Sequence, residues 1–379
     1  MHILILPSWY FAADSDSIAG RNFHQLARGL REANIDARIF YSSYSPVNSF
    51  FKKYNYHVED GIPTWRVKQW FPPKLHALLI SFWINKYAKD VMKYIRENGI
   101  PDVIHAQSYM ASLIANQVSK KTNIPFIYTE HLSGFIEESI PLIYKNHIEK
   151  SSHGAAMITC VSPGLKSKLE GYTNNNINVI PNFFDADIFY PDNTIIKNKI
   201  FTWISIGEPS YIKGLDILIN AYALVKQRLP EAEMQLIIID EIKDKDKLVQ
   251  LATIKNVAES IKWTGLINHP EIARILNESH AIISASRVET FGTAIVEAQA
   301  CGLPVVASQT DGASFIIQSS EQGILTTVND ADALADGMVR LFANYNFYNS
   351  EKIFEIVKQR FEKRVIINQW KEIYKIVAK

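Results

Sequence analysis

The sequence predicts an α/β protein of two Rossmann-like β/α/β domains facing a central cleft. Three observations carry that expectation. Strand-length apolar runs alternate with helical apolar spacing from end to end, the pattern of βα units and parallel sheets. The pattern halts at a Pro/Asn/Asp-rich break and then restarts. The length, 379 residues, is that of two domains at roughly 150 residues each.

In the first half, residues 3–6 form a buried-strand run and 20–32 have helical spacing. Residues 37–41 read as a strand, 84–97 as a helix, and 102–105, 126–129 and 155–161 as further strands. The break covers Ile180-Pro181-Asn182-Phe183-Phe184-Asp185 and the polar stretch 192–199. It places an N-terminal domain at 1–182 and a second domain at 183–363. In the second half, 200–206, 234–239, 261–264, 281–285 and 304–307 read as strands. Residues 214–228, 270–278, 293–301 and 331–343 read as helices, the last capped by Asp330. A final amphipathic helix, 364–379, is expected to cross back to the first domain. Ligands of such sheets sit beyond the carboxyl ends of the strands, so strand-to-helix loops should carry the chemistry.

Composition removes several function classes. Hydrophobic residues are 47% and charged residues 21%, ordinary for a chain that buries real cores. A net charge of +1 gives nucleic-acid binding no support. The charge is uneven: 19 Lys and Arg face 14 Asp and Glu in residues 1–182, against 21 and 25 in 183–379. The basic first half hints at an anionic surface or substrate, or at scatter among solvated faces. Cys160 and Cys301 each lie in an apolar run and fit neither a disulfide framework nor a metal site. The start of the chain lacks a basic n-region and a cleavage site, so a cytoplasmic location is expected.

The strongest local signal is the segment Ser286-Arg287-Val288-Glu289-Thr290-Phe291-Gly292-Thr293, which continues to Glu297 and on to Gly302-Leu303-Pro304. It leaves a buried strand, turns at Phe291-Gly292 and enters a helix whose free amides can hold an anion. Glu297 lies on an otherwise apolar helix, where an unpartnered carboxylate costs several kcal/mol. A carboxylate also accepts well from vicinal hydroxyls such as those of a ribose. By pattern alone, Glu289 could equally be a surface-loop residue and Glu297 a solvent-facing one.

The segment resembles the E-x7-E motif of the GT-B retaining glycosyltransferases, the large group 1, family 4 set that includes sucrose synthase and many bacterial polysaccharide enzymes. The likeness runs nearly the whole chain. Ile206-Gly207 with Lys213-Gly214-Leu215-Asp216 is similar to the family's G-R-L-x3-K-G element. Val179-Ile180-Pro181-Asn182, with Asp185 and Phe189-Tyr190-Pro191, resembles the opening of its nucleotide domain. Leu6-Pro7-Ser8-Trp9-Tyr10 with Gly20 resembles the start of a cell-surface polysaccharide subset, and Trp263-Thr264-Gly265 and Gly302-Leu303-Pro304-Val305-Val306-Ala307 also match.

The resemblance implies roles. Lys213 should bind the donor diphosphate, Glu297 the ribose hydroxyls, and Glu289 the transferred sugar as positive charge develops on it. Amides of Phe291, Gly292 and Thr293 should face the sugar or its phosphate, and backbone near Leu266 the base. His131, in Thr129-Glu130-His131, resembles a family histidine beside the donor sugar. Gly207 and Gly20 should lie near the diphosphate, and His105 is expected to line the acceptor side. The resemblance implies no cofactor and no essential metal, with a UDP- or GDP-linked sugar as substrate. Asp14-Ser15-Asp16 spells D-x-D but falls in an N-terminal loop.

Three positions depart from the pattern. Glu208 replaces the family's arginine, Ile239-Asp240-Glu241 replaces a glycine-rich turn, and Asp311-Gly312-Ala313-Ser314-Phe315 lacks a glutamate. Arg287 is the candidate to replace the missing positive charge. In 50–83, basic residues (Lys52, Lys53, Arg66, Lys68, Lys74) interleave with aromatic ones, and an apolar helical stretch follows. This is either a peripheral contact with anionic membrane at its inner face, where a lipid-linked acceptor sits, or a loop and helix packed on the domain. The expected function is transfer of a sugar to a glycan or lipid-linked acceptor in cell-surface polysaccharide assembly. The alternatives are a catalytically impaired binder of a nucleotide-sugar or partner transferase, and a nucleotide-sugar epimerase.

Overall fold

A computed structural model of the chain describes residues 1–10, 20–45, 53–70, 76–141, 144–207, 211–239 and 245–379. Along the chain, the first half contains β1 (His2–Pro7), α1 (Arg21–Glu32), β2 (Asp36–Ser45), β3 (Lys53–Glu59), β4 (Ile62–Trp70) and α2 (His76–Asn98). It continues through β5 (Val103–Gln107), α3 (Tyr109–Thr122), β6 (Phe126–Glu130), α4 (Lys145–Ser151), β7 (Met157–Cys160), α5 (Pro163–Leu169) and β8 (Ile177–Val179). The second half contains β9 (Phe201–Ile206), α6 (Leu215–Arg228), β10 (Met234–Ile239), α7 (Lys245–Ile254), β11 (Ile261–Trp263) and α8 (His269–Glu278). Then come β12 (Ala281–Ser284), α9 (Thr293–Ala300), β13 (Val305–Ser308), α10 (Asp311–Ile316), β14 (Gly323–Thr326), α11 (Ala331–Ala343), α12 (Ser350–Phe361) and α13 (Lys363–Val377).

The chain divides into two compact units, Met1–Ile180 with Ile366–Lys379, and Pro181–Val365. The second unit's sheet runs β11-β10-β9-β12-β13-β14 and is parallel throughout. Its strand order reverses between β9 and β12, and crevices for ligands open at such reversals. The first unit's sheet runs β3-β4-β2-β1-β5-β6-β7-β8, with its reversal between β1 and β5. Only its edge pair β3–β4 is antiparallel, a hairpin turned by Asp60-Gly61, both with positive φ as a type I′ turn requires.

Helices cover both faces of these sheets, so central strands are apolar on both sides. Ile3, Leu4, Ile5 and Leu6 of β1 are fully buried, as are Trp203 and Ile204 of β9. In the second unit, Trp203, Leu236 and Ile283 pack with Leu218 and Tyr222 of α6 and Leu334 and Met338 of α11. In the first, α13 packs by Trp370 and Tyr374 against the imidazole of His105 on β5.

Candidate functional site

The second unit gathers its candidate residues at the reversal between β9 and β12. Gly207 follows β9, and a Cβ there would lie 3.3 Å from the Lys213 stem. A single 3-10 turn, Tyr211–Lys213, leads to Gly214, which has φ 64° and caps α6. A Cβ on Gly214 would sit 2.2 Å from the Ala285 carbonyl oxygen, so only glycine lets the end of β12 lie against the start of α6. That close approach brings Lys213 Nζ to 2.6 Å from Glu289 Oε2. Their side chains are 29% and 16% exposed, so the pair is partly open to water.

The Glu289 loop is held from two sides. The Arg287 amide donates to Ile212 O at 2.7 Å, and Gly312 N donates to Glu289 O at 2.9 Å. A Cβ on Gly312 would meet Phe291 O at 2.5 Å, so this glycine too is required by close packing. Gly292, with φ 103°, then opens α9. Ile295 N and Val296 N donate to Gly292 O. The amides of Phe291, Gly292, Thr293 and Ala294 have no acceptor among the described residues, the arrangement that favours an anion. Glu297, one turn further, is 6% exposed, which rules out the solvent-facing alternative. Glu289 is partly exposed, with its carboxylate held by Lys213. Gly265, with φ 76°, and the exposed Leu266 follow β11.

Arg287, expected to supply a phosphate-binding charge, has its guanidinium already engaged within the loop. Its guanidinium forms a two-pronged pair with Asp216 at 2.9 and 2.7 Å, donates to Tyr211 O at 2.7 Å and to Asn329 Oδ1 at 2.8 Å, and stacks 4.0 Å over the Tyr211 ring. These hydrogen bonds hold the Asp216 carboxyl below its usual range. Arg287 therefore clamps the turn that presents Lys213. Glu208, Asp240, Glu241 and Asp14-Ser15-Asp16 lie outside the described residues.

The first unit gathers polar groups at its own reversal. Glu130, fully buried at the end of β6, accepts from Ser108 Oγ, Tyr109 N, Tyr128 Oη, His131 N and Leu132 N at 2.7 to 3.0 Å. Burial raises its pKa. Five donors nevertheless leave little place for a carboxyl proton, so the physical chemistry favours the anion at neutral pH. Ser108 has φ 78° and ψ 162°, a conformation otherwise confined to glycine and costing about 1–3 kcal/mol. Its bond to Glu130 and the 2.6 Å bond from its amide to Thr129 O hold it there. His131 Nε2 lies 2.7 Å from Gln107 Oε1, and the Phe23 ring meets the imidazole edge-on at 5.1 Å. Desolvation pushes His131 down to about 3, so its ring is neutral at physiological pH. Gly20, with φ 78°, caps α1 where a Cβ would lie 2.8 Å from Trp9 O.

His105 is also corrected. It is fully buried, with Nδ1 2.7 Å from Tyr374 Oη and Nε2 2.6 Å from Thr129 Oγ1. Both ring nitrogens are occupied, so it anchors α13 instead of lining a substrate. The 50–83 stretch is largely the β3–β4 hairpin and α2, with Phe50, Phe51, Lys52 and 71–75 outside the described residues. Trp65 is buried against Tyr94, and Arg66 pairs with Glu59 at 2.7 Å. Lys68 and Phe82 face outward. Among the described residues no helix is long and apolar enough to cross a membrane.

Sequence reasoning assigned no role to Asp216, Gly312 and Glu130, which appear only inside longer motifs, and did not single out Gln107 or Ser108. Two signals were available: a glutamate closing an otherwise apolar strand, and a glutamine two places after His105, the spacing that shares a strand face.

The family model for glycosyl transferases group 1 matches residues 189–354, and that for glycosyltransferase family 4 matches 19–188. The chain belongs to the group 1, family 4 glycosyltransferases. D-inositol 3-phosphate glycosyltransferase of Arthrobacter sp. (strain FB24) is 23% identical to this transferase over 84% of the chain and 80% of the relative. N-acetyl-alpha-D-glucosaminyl L-malate synthase of Bacillus anthracis is 22% identical over 73% and 74%. Sucrose-phosphate synthase from Thermosynechococcus elongatus superposes with a TM-score of 0.83, 20% identity and 99% of each chain covered. HepE of Anabaena, solved in complex with UDP and glucose, gives 0.76, 18% identity and 99% and 100% coverage. These likenesses establish the GT-B fold of two parallel-sheet α/β domains. Family membership sets the epimerase alternative aside.

Proposed function

We propose that this glycosyltransferase moves a hexosyl unit, with retention of anomeric configuration, from a UDP- or GDP-linked sugar to a glycan or lipid-linked acceptor in cell-surface polysaccharide assembly. The observation that carries this reading is the 2.6 Å pair of Lys213 with Glu289 in a loop running into the unpartnered amides at the start of α9. A cation and converging N–H donors suit a diphosphate. Glu297, buried on the same helix, suits the ribose hydroxyls. HepE, which shares the fold, holds UDP and glucose.

In the reaction, the bond from the anomeric carbon to the β-phosphate oxygen breaks and one to the acceptor oxygen forms, and the acceptor proton leaves with the diphosphate. Lys213 and the α9 amides stabilise the charge growing on the leaving group, while Glu289 stabilises the oxocarbenium-like sugar. His131 takes a hydrogen bond from a substrate hydroxyl. No metal is needed in this scheme, so transfer should persist in EDTA. The test is a donor panel with product NMR: an axial donor giving an axial product supports retention, and an inverted product rejects it.

A second reading, a chain that binds a nucleotide-sugar with impaired turnover, draws on the neutralisation of Arg287 by Asp216, which leaves the loop one cation poorer. Donor binding without hydrolysis or transfer would favour it.

A further inference from the structure

We propose that Gln107 is a positioning residue that fixes the tautomer of His131, taking the Nε2 proton on its amide oxygen and leaving Nδ1 as a lone-pair acceptor for a substrate hydroxyl. Gln107 ends β5, beside Pro7 of β1 and Thr129 of β6 in the sheet register, and is fully buried. Its carbonyl accepts from Ser8 N at 3.1 Å and Ser8 Oγ at 2.8 Å, which fixes the backbone that carries the amide. On the other side, Glu130 fixes the His131 and Leu132 amides. The 2.7 Å contact between ring and amide is thus framed by two anchored strand ends.

Among the described residues, His131 Nδ1 and Gln107 Nε2 are buried and have no hydrogen-bond partner. An unpaired buried polar atom costs about 1–3 kcal/mol, and such atoms persist where a ligand completes them. The pair offers one free acceptor and one free donor, complementary to hydroxyl groups, which do both.

The partner's chemistry also matters. A carboxylate on Nε2 would stabilise the imidazolium and tune the ring for proton transfer, whereas an amide accepts the same bond without favouring positive charge. Glu130 is adjacent in sequence, yet five donors occupy it. His105, on β5, is neutral and held by Tyr374 and Thr129, while α1 contributes only the uncharged Phe23 ring. The arrangement therefore favours a neutral His131 that accepts a bond and does not shuttle a proton. The inference rests on the proposed reading for the identity of the hydroxyl, but not for the tautomer.

The test is long-range 15N–1H NMR of the ring in the full chain between pH 6 and 8, with His131→Asn for assignment. The expected result is a neutral ring protonated at Nε2; an Nδ1–H tautomer or an imidazolium overturns the proposal without any activity assay. Gln107→Glu supplies a second arm. It keeps the acceptor but adds charge, so kcat/KM should gain an acidic limb displaced by at least about one pH unit. At alkaline pH its activity should return to within about threefold of the wild type, whereas Gln107→Leu should recover at no pH. A profile for Gln107→Glu superimposable on the wild type overturns the positioning role. If no donor supports turnover, the functional reading fails while the ring tautomer still decides this proposal.

Discussion

Lys213 and Glu289 are 76 residues apart in sequence and 2.6 Å apart in the fold. Their approach depends on the Gly214–Ala285 contact, so the pair follows from backbone packing as much as from charge. The exposure of both side chains limits what the pair adds to stability to about 0–1 kcal/mol. Lys213→Ala should therefore lower kcat/KM by about 10²- to 10³-fold while shifting Tm by less than about 3 °C. A loss of fold matching the loss of activity would make the pair structural.

Arg287 and Asp216 should behave as one unit. If Arg287 clamps the Lys213 turn, Arg287→Ala and Asp216→Ala should raise donor KM by similar factors. A phosphate-binding role for Arg287 predicts the opposite, since Asp216→Ala would free the guanidinium and tighten binding. Arg287→Lys should restore little, because a lysine cannot span both carboxylate oxygens. The lowered Asp216 pKa adds a stability test. The stabilisation is present above the unfolded value near 3.8 and is lost as pH falls through the lower folded one, so the stability gap between wild type and Asp216→Asn should hold down to pH 3.8 and narrow only below it.

His105 should matter for folding and not for transfer. Burial holds it, like His131, near a pKa of about 3 against 6.5 unfolded. Below pH 6.5 the unfolded chain binds protons that the folded chain does not. Stability present above that pH is then lost on acidification, by up to about 1.4 kcal/mol per pH unit for each ring. Chemical denaturation of His105→Asn should give lower stability and a shallower acid slope, with donor KM unchanged.

Two of the left-handed glycines near the candidate donor site, Gly214 and Gly265, should differ in cost. A Cβ at Gly214 meets the Ala285 carbonyl at 2.2 Å, while Gly265 has nothing within 4 Å. Gly265→Ala should cost about 1–2 kcal/mol of backbone strain alone. Gly214→Ala should cost more and also abolish donor binding, because it pushes the Lys213 turn from β12.

The membrane contact has fewer exposed members than the sequence suggested, since Trp65 and Arg66 turn into the fold. Charge reversal at Lys52, Lys53, Lys68 and Lys74 should abolish sedimentation with anionic liposomes if the contact exists. Unchanged sedimentation rejects it.

Much of the fold was legible because each half repeats strand-length apolar runs, and buried parallel strands have that composition. The β3–β4 hairpin was missed because its aromatic and basic alternation was read either as a membrane patch or as a packed loop. It is a strand's two faces, with Trp65 inward and Lys68 outward. The Lys213, Glu289 and Glu297 set was legible by spelling, and each residue lies where a β-to-α loop or its helix would place it. What spelling could not supply was pairing. Arg287 looked available because Asp216 lies 71 positions away, and His105 looked exposed because Tyr374 lies 269 away. Glu130 appeared only as the neighbour of His131, since nothing local reveals that five donors converge on it.

The central claim is that the loops after β9 and β12 hold a nucleotide diphosphate. Thermal unfolding with UDP, GDP, ADP and their sugars, on the wild type, Lys213→Ala and Glu297→Ala, tests it directly. A ligand at 100 times its Kd adds roughly 2.7 kcal/mol, a rise of several degrees for a chain of this size. One nucleotide series should stabilise the wild type and neither variant. Stabilisation of all three proteins alike, or of none, would contradict the claim.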